Sequence, residues 1–134
     1  MSVIVTDTGF APAAPVTAVT LDSIADHQGV LDLTQTDDPV AVEPYLDGLS
    51  LIRISFPAFS DGRAFTIARR LRMMGYTGAL RAIGPVIADQ YAMVRRVGFD
   101  SVEIPDDLAA RQPAAQWVFR ADWQAHNYQA RLRA

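Results

Sequence analysis

Three successive segments of residues 49–83 decide the fold: LSLIRISF at 49–56, RAFTIARRLRMM at 63–74 and ALRAI at 79–83. The first and third are short apolar runs, as expected of buried strands. The middle segment places apolar residues at spacings of three and four, which predicts an amphipathic helix. A strand, a helix and a strand in this order predict two parallel neighbours joined by a right-handed crossover.

The same alternation extends to both sides of this unit. Upstream, Val30–Thr34 is predicted to be a strand and Pro39–Leu46 a short helix with Asp38 as its N-cap. Downstream, Gly84–Pro85 is predicted to open a second long helix, which is followed by a strand at Ser101–Ile104. Asp106 or Asp107 is then expected to cap a last helical region.

The sequence therefore predicts a single α/β domain over residues 1–134, with a parallel sheet that resembles a partial TIM-type barrel. Residues 1–29 are expected to form an extension of strands and loops, residues 30–107 the βα core and residues 108–134 a C-terminal helix. An open half-barrel leaves sheet edges and an apolar face exposed. The extension, the C-terminal helix or a second copy of the chain could cover them, and a homodimer is one of these alternatives.

Composition excludes several classes of protein. The 134 residues include no cysteine, so disulfides, thiolate zinc sites and cysteine nucleophiles are excluded. The net charge of −3 does not favour nucleic-acid binding. No apolar stretch of about 18 residues and no export signal is present, so we expect a cytoplasmic protein without membrane contact.

Charge is segregated along the chain. All 12 basic residues are arginines, and residues 1–52 carry a net charge of −8 whereas residues 53–134 carry +5. This asymmetry could steer a small oxyanion or an acidic partner toward the second part. Alternatively, the acidic part packs beside the basic part of the same chain.

Three charged residues lie inside predicted strands. Arg53 and Arg81 each stand four positions before a proline, and Glu103 stands two before Pro105. Side chains alternate along a strand, so even spacing places all three on one face if the strand ends align. They could form a structural Arg81–Glu103 ion pair, or a pocket in which the arginines bind an anion and Glu103 orients an arginine or moves a proton.

Two predicted loops at strand ends supply further candidates. Asp61 and Arg63 lie in the first loop, where Asp61 is a candidate proton carrier, as Glu103 is, and Arg63 is a candidate anion ligand. Alternatively, Asp61 is only the N-cap of the helix and Arg63 a solvated side chain. Asp89 and Gln90 begin the predicted second long helix, where the dipole of the helix alone would explain Asp89. Both are also further candidates for anion binding. The only histidines lie 99 residues apart, so no metal site is predicted.

Several short runs together resemble a known bacterial family. The runs are FSDGR at 59–63, ARRLR at 68–72, GYTGALRAIG at 75–84, DQ at 89–90 and GFD at 98–100. They resemble the family called domain of unknown function 934, whose members are often labelled probable oxidoreductases involved in sulfite reduction. The resemblance implies a cytoplasmic accessory protein of sulfate assimilation. The family's recurrent polar positions correspond here to Asp61, Arg63, Arg81, Asp89 and Gln90.

Three functions remain open at this point. The first is an accessory protein that supports sulfite reductase without turnover of its own. The second is a small anion-binding enzyme or subunit that acts on sulfite, sulfate or a sulfonucleotide through Arg53, Arg63 and Arg81. The third is a structural α/β dimer with no role in sulfur metabolism. The chain contains no nucleotide-binding fingerprint, so the residues indicate no particular cofactor.

Overall fold

Seven strands form the framework of the protein in the computed structural model, which describes residues 2–13, 16–56, 62–86 and 88–120. The strands are β1 (Ser2–Thr6), β2 (Gly9–Pro12), β3 (Val19–Thr20), β4 (Val30–Leu33), β5 (Leu51–Ser55), β6 (Ala79–Ile83) and β7 (Ser101–Pro105). They pair in one sheet in the order β2-β1-β7-β6-β5-β4-β3. β3 to β7 are parallel neighbours in chain order, whereas β1 is antiparallel to both β7 and β2.

The sheet is open and mixed, and it does not close into a barrel. The predicted α/β class and the predicted run of parallel strands are confirmed. The described part of the expected N-terminal extension contains β1, β2 and β3, and β1 continues the sheet beyond β7. Its Val3 and Val5 stand beside Ile104 and Val102, which places valine next to β-branched neighbours on the same face of the sheet.

Seven helical segments connect and flank the strands in the described part of the chain. Three are 3-10 helices, at Leu21–Asp26, Pro39–Gly48 and Ala88–Gln90. Four are α-helices: α1 (Arg63–Met73), α2 (Tyr91–Arg96), α3 (Asp106–Arg111) and α4 (Ala114–Arg120). Asp38 caps the second 3-10 helix as predicted, because its carboxylate accepts a hydrogen bond of 3.0 Å from the amide of Val40.

Three helical predictions need correction. The predicted second long helix is a 3-10 turn, Ala88–Gln90, followed by the short α2. Asp106 and Asp107 lie in the first turn of α3, whose N-cap position is held by Pro105, so neither carboxylate caps the helix. The last helical region is divided at Pro113, whose ring lacks the amide hydrogen that a continuous helix needs. The region from residue 121 to 134 lies outside the described residues.

The sheet of parallel strands has one face that the described helices cover and one that they leave uncovered. Parallel strands that follow one another in a single direction, joined by right-handed crossovers, place all their connections on one side of the sheet. The burial pattern agrees: in β4, β5 and β6, alternate residues are buried against the helices. These are Leu31, Leu33, Ile52, Ile54, Leu80 and Ala82. The residues between them are half-buried or exposed, so the helices that connect the described strands leave the opposite face uncovered.

Helix α1 covers the centre of the sheet with small and branched side chains. Ala64, Ile67, Ala68 and Leu71 are buried in the core, as their three- and four-residue spacing predicts. The two alanines allow the helix to approach the strands closely. Its other face carries exposed arginines and the exposed Met73.

Arg72 ties together the loops that precede β6 and β7. Its Nη1 donates hydrogen bonds to the carbonyl oxygens of Tyr76 at 3.0 Å and Gly78 at 2.7 Å. Its Nε and Nη2 donate to the carbonyl oxygen of Gly98 at 3.0 and 2.8 Å, and Nη2 pairs with the carboxylate of Asp100 at 3.0 Å. We call this group the Arg72 anchor. It holds the amino-terminal ends of two neighbouring strands at a fixed separation.

Close packing explains the glycines of these loops. The hydroxyl of Tyr76 shares its single hydrogen between the carbonyl oxygens of Leu49 and Ala79, each at 3.2 Å, and burial raises the pKa of Tyr76 to about 12. A Cβ atom on Gly78 would press on that hydroxyl and lie 2.9 Å from the carbonyl oxygen of Leu49. A Cβ on Gly98 would lie 2.6 Å from Cγ of Arg72, and the φ of +116° at Gly98 also favours glycine.

Candidate functional site

Four charged side chains lie together at the centre of the uncovered face of the sheet. The strand register places Asp32 beside Arg53, and Arg53 beside Arg81. Glu103 follows two residues after Ser101, the partner of Arg81 on β7. Arg53, Arg81 and Glu103 therefore share one face, as their even spacing before the prolines predicts.

Arg53 makes the shortest contacts of this group. Its Nε lies 2.6 Å from one carboxylate oxygen of Asp32, and its Nη2 lies 2.7 Å from the other. This two-point geometry is the strong form of an arginine–carboxylate pair. The hydrogen bond to Asp32 raises the pKa of the Arg53 guanidinium, with an electrostatic contribution from Glu103, so the pair is ionic.

Glu103 links Arg53 to Arg81. One of its oxygens lies 3.7 Å from Nη1 of Arg53 and 3.5 Å from Nη1 of Arg81. The predicted Arg81–Glu103 ion pair is therefore present. The second carboxylate oxygen of Glu103 accepts a hydrogen bond of 3.0 Å from the hydroxyl of Ser2. Nε of Arg81 donates to the hydroxyl of Ser101 at 3.2 Å.

We call Asp32, Arg53, Arg81 and Glu103, with Ser2 and Ser101, the sheet-face network. It contains two guanidinium groups and two carboxylates, so its formal charge is balanced. The side chains of Arg53 and Arg81 are 16% exposed and that of Glu103 is 14% exposed. Water and ligands can therefore reach the network only along its outer surface.

A cavity of about 340 Å³ opens next to this network, at the carboxyl ends of β6 and β7. Its walls are formed by Ser2, Ile83, Gly84, Glu103, Ile104 and Pro105. Gly84 has a φ of +134°, and a Cβ atom there would press on the carbonyl oxygen of Phe56, so this close approach of two loops requires glycine. Among the described residues of this wall, Glu103 alone carries a charge.

The other described candidates lie outside the strands that carry the network. Arg63 is the exposed first residue of α1, and Asp61 lies outside the described residues. Asp89 is exposed and Gln90 half-buried in the 3-10 turn that follows β6. The described structure therefore brings together Arg53, Arg81 and Glu103, and it places Arg63, Asp89 and Gln90 on helical segments.

Sequence reasoning overlooked three members of the network. Asp32 is a charged residue inside the predicted strand Val30–Thr34, so the signal that pointed to Arg53 was present for it as well. Ser101 and Ser2 gave no such signal, because serine is common at strand ends. The pairing of β1 with β7 brings Ser2 to Glu103 across 101 positions of sequence.

A second charged cluster lies on the covered side of the sheet and was also overlooked. The hydroxyl of Tyr91 donates to Asp7 at 2.6 Å, and Arg95 donates to the same carboxylate at 3.1 and 3.2 Å. Burial and the hydrogen bond to Asp7 raise the pKa of Tyr91 above its ordinary value, so the phenol stays protonated. Arg95 is half-buried by these contacts, which fix the β1–β2 turn to α2.

The described residues offer neither a metal-binding cluster nor a membrane-spanning helix. They contain no cluster of three or more histidine, cysteine, aspartate or glutamate side chains that could hold a metal ion. None of the helices among them is long and apolar enough to cross a membrane.

The fold and site define an α/β protein with an open, mostly parallel sheet, helices on one face and a charge-balanced network on the other. The model of a bacterial protein family of unknown function, domain of unknown function 934, matches residues 30–134. The chain belongs to this family, as the runs between residues 59 and 100 predict. The match begins at the first residue of β4. Comparison with curated proteins and with solved structures finds no match.

Proposed function

We propose that this chain is a cytoplasmic, non-catalytic accessory protein of assimilatory sulfite reduction, and that it supports sulfite reductase by binding it. The metabolic role comes from the family resemblance. The binding role is argued from the uncovered face of the sheet and its network.

The pairing within the sheet-face network carries this proposal. Each arginine already faces a carboxylate: Arg53 is held at two points by Asp32, and Arg81 lies 3.5 Å from Glu103. A site built to hold a sulfur oxyanion needs excess positive charge directed at the ligand. The balance of two positive and two negative groups instead suits contact with another protein surface, which can satisfy both signs.

The surroundings of the network also favour a protein partner. Parallel sheets occur almost only with both faces covered. Here the apolar residues Leu51 and Ile83 flank the charged centre and are half-buried, so further burial against a partner is favourable. Arginine is enriched at the centres of protein interfaces, where it often contributes much of the binding energy.

We further propose that strands β3 to β7 resemble part of a TIM-type barrel. Strands β3 to β7 follow one another in chain order with their connections on one side, as barrel strands do. In a closed barrel, the face opposite the helices is the packed interior. The sheet-face network occupies the corresponding position on an open sheet, and sulfite reductase would supply the missing cover.

Growth of a deletion strain tests the proposal. The strain is supplied with sulfate, sulfite, sulfide or cysteine as sole sulfur source and is complemented with wild type, Arg81→Ala or Arg111→Ala. Arg111 is an exposed arginine of α3 with a side chain that is 72% exposed, and it serves as the matched control. We expect wild type and the control to restore growth on all four sources. Arg81→Ala should fail on sulfate and sulfite only.

Affinity capture connects growth to binding. Tagged wild type should retain sulfite reductase from cell extract, and Arg81→Ala should retain much less. Normal growth of the deletion strain on sulfite would contradict the role in sulfite reduction. Equal capture by wild type and Arg81→Ala would contradict the assignment of the sheet face.

A second candidate function is a small anion-binding enzyme or subunit, and one observation favours it. Glu103 lies 3.7 and 3.5 Å from the two guanidinium groups, which is longer than a hydrogen bond. An oxyanion could displace Glu103 and bridge Arg53 and Arg81, with the carboxylate released to carry a proton.

Calorimetric titration distinguishes the two functions. Sulfite and sulfate are titrated into wild type and into Arg81→Ala. Binding in the millimolar range or tighter that is lost in the variant would favour the anion site. The absence of heat with wild type would leave the accessory role as the function that the network supports.

A further inference from the structure

The covered side of the sheet carries two surfaces of opposite charge side by side. The first two 3-10 helices, Leu21–Asp26 and Pro39–Gly48, contain four acidic residues and no basic one. All four are exposed: Asp22, Asp26, Glu43 and Asp47. The contacts of His27 with the ring of Tyr45 and with Gly48 hold the two helices together, so these carboxylates form one acidic half of the helical layer.

The neighbouring helices form a basic half. α1 and α2 contain six arginines and no acidic residue. Arg72 and Arg95 are directed inward to the carbonyl groups and carboxylates described above, whereas Arg69 and Arg70 are exposed. Neither Arg69 nor Arg70 forms an ion pair or a side-chain hydrogen bond with any residue that the structure describes.

Large apolar side chains are exposed on the same layer. Met73 at the end of α1 is 77% exposed, and Met93 on α2 and Val40 on the second 3-10 helix are each 48% exposed. Methionine adapts its shape to a partner and is common at protein-binding surfaces. Apolar contacts of this kind supply affinity that exposed ion pairs alone do not provide.

We infer that this helical layer binds the same layer of a second copy of the chain. In a dimer whose two-fold axis runs along the strands, left and right are exchanged, so the acidic half of each copy lies over the basic half of the other. The contact is self-complementary, as two-fold symmetry requires. The sheet-face network remains open on the outer side of each copy, so the dimer is compatible with the proposed binding of sulfite reductase and does not depend on it.

Charge reversal tests the inference. One variant is Arg69→Glu with Arg70→Glu, and the other is Glu43→Arg with Asp47→Arg. All four positions are exposed and have no hydrogen-bond or ion-pair partner among the described residues, so the fold should tolerate both variants. Sedimentation velocity measures the dimer dissociation constant of each variant, of wild type and of an equimolar mixture of the two variants. Arg111→Ala, altered on α3, is the control.

We expect wild type and Arg111→Ala to dimerise, and the dissociation constant to rise between about 0.1 M and about 1 M salt as the Debye length falls from about 10 Å to about 3 Å. The dimer dissociation constant of each reversed variant alone should be about ten- to a hundredfold higher than that of wild type. The mixture should dimerise as wild type does, because every contact then joins opposite charges again.

Three results would overturn the inference. The first is a wild-type protein that stays monomeric at low salt. If growth on sulfite then still required Arg69 and Arg70, the basic half would bind a different, acidic protein and not a second copy. The second is a dimer that neither reversal weakens. The third is a mixture of the two variants that fails to associate.

Discussion

The Arg72 anchor and the sheet-face network both join arginine to carboxylate, but they differ in what the arginine binds. In the anchor, Arg72 donates to the carbonyl oxygens of three loop residues as well as to Asp100. In the network, Arg53 and Arg81 contact side chains of neighbouring strands that the backbone ladder already holds together. Loss of the anchor therefore leaves loop carbonyl groups without their donor, whereas loss of the network alters only side-chain contacts on one face of the sheet. We conclude that the anchor stabilises the fold and that the network is available for function.

Removal of the anchor should have the largest effect on stability. In Arg72→Ala, the carbonyl oxygens of Tyr76, Gly78 and Gly98 lose their donor, and the free energy of unfolding should fall by about 3 kcal/mol. Arg69→Ala removes an exposed arginine from the same helix and should change it by less than about 0.5 kcal/mol. Urea unfolding at low protein concentration measures both. Similar values for the two variants would show that the anchor does not stabilise the loops.

A smaller loss is expected when a methyl group is added inside the anchor. Gly78→Ala directs a Cβ atom at the Tyr76 hydroxyl and the carbonyl oxygen of Leu49, and should cost about 2 kcal/mol. Gly62→Ala is the matched control, because a Cβ atom there meets open space and the φ of −79° suits alanine. Its effect should stay within about 0.5 kcal/mol. Equal unfolding midpoints for the two variants would contradict the close packing around Gly78.

The hydroxyl of Tyr76 should contribute less still, with a dependence on pH. Tyr76→Phe removes its hydrogen bonds to Leu49 and Ala79 and should cost about 1 kcal/mol near neutral pH. The stabilisation that comes from the buried, protonated phenol is fully present below pH 10.0, the ordinary pKa of tyrosine. It is lost as the pH rises toward about 12, the pKa of Tyr76 in the folded protein, because the tyrosine of the unfolded chain ionises first. The phenylalanine variant lacks this loss. Urea unfolding from about pH 8 upward should show the two curves converge; a constant difference would contradict the burial of the hydroxyl.

Disruption of the sheet-face network should have the smallest effect on stability. In Arg81→Ala, Glu103 keeps its contact with Arg53 and its hydrogen bond from Ser2. Because this face borders solvent, we expect a cost of about 1 kcal/mol or less. Thermal unfolding followed by circular dichroism compares the variant with wild type and with Arg111→Ala. A cost as large as that of Arg72→Ala would make the network a structural element and remove the difference between the two regions.

Local patterns predicted most of the central fold. The strand at Ala79–Ile83 and the helix that begins at Arg63 have the predicted starts, because apolar spacing and flanking glycines are local signals. Local spacing also predicted that Arg53, Arg81 and Glu103 lie on one face of the sheet, because side chains two positions apart on a strand point to the same side.

The features that depend on distant pairing were not predicted. Nothing in the local sequence of β1 identifies β7 as its neighbour, because the register Ser2 with Pro105 joins opposite ends of the described chain. For the same reason, the contact of Ser2 with Glu103 and the pairing of Asp7 with Arg95 were missed. The second long helix was overestimated because the glycine and proline that were read as its start form a turn, in which Gly84 adopts a φ of +134°.

The separation of fold from function is tested most directly by growth on sulfite of the deletion strain complemented with Arg81→Ala, with the intracellular level of the variant measured in the same cultures. Our account predicts that the variant accumulates to the wild-type level, that the cells fail to grow on sulfite, and that they grow normally on sulfide. Growth on sulfite at the wild-type rate with Arg81→Ala would contradict the account, because the sheet-face network would then serve neither stability nor sulfite reduction.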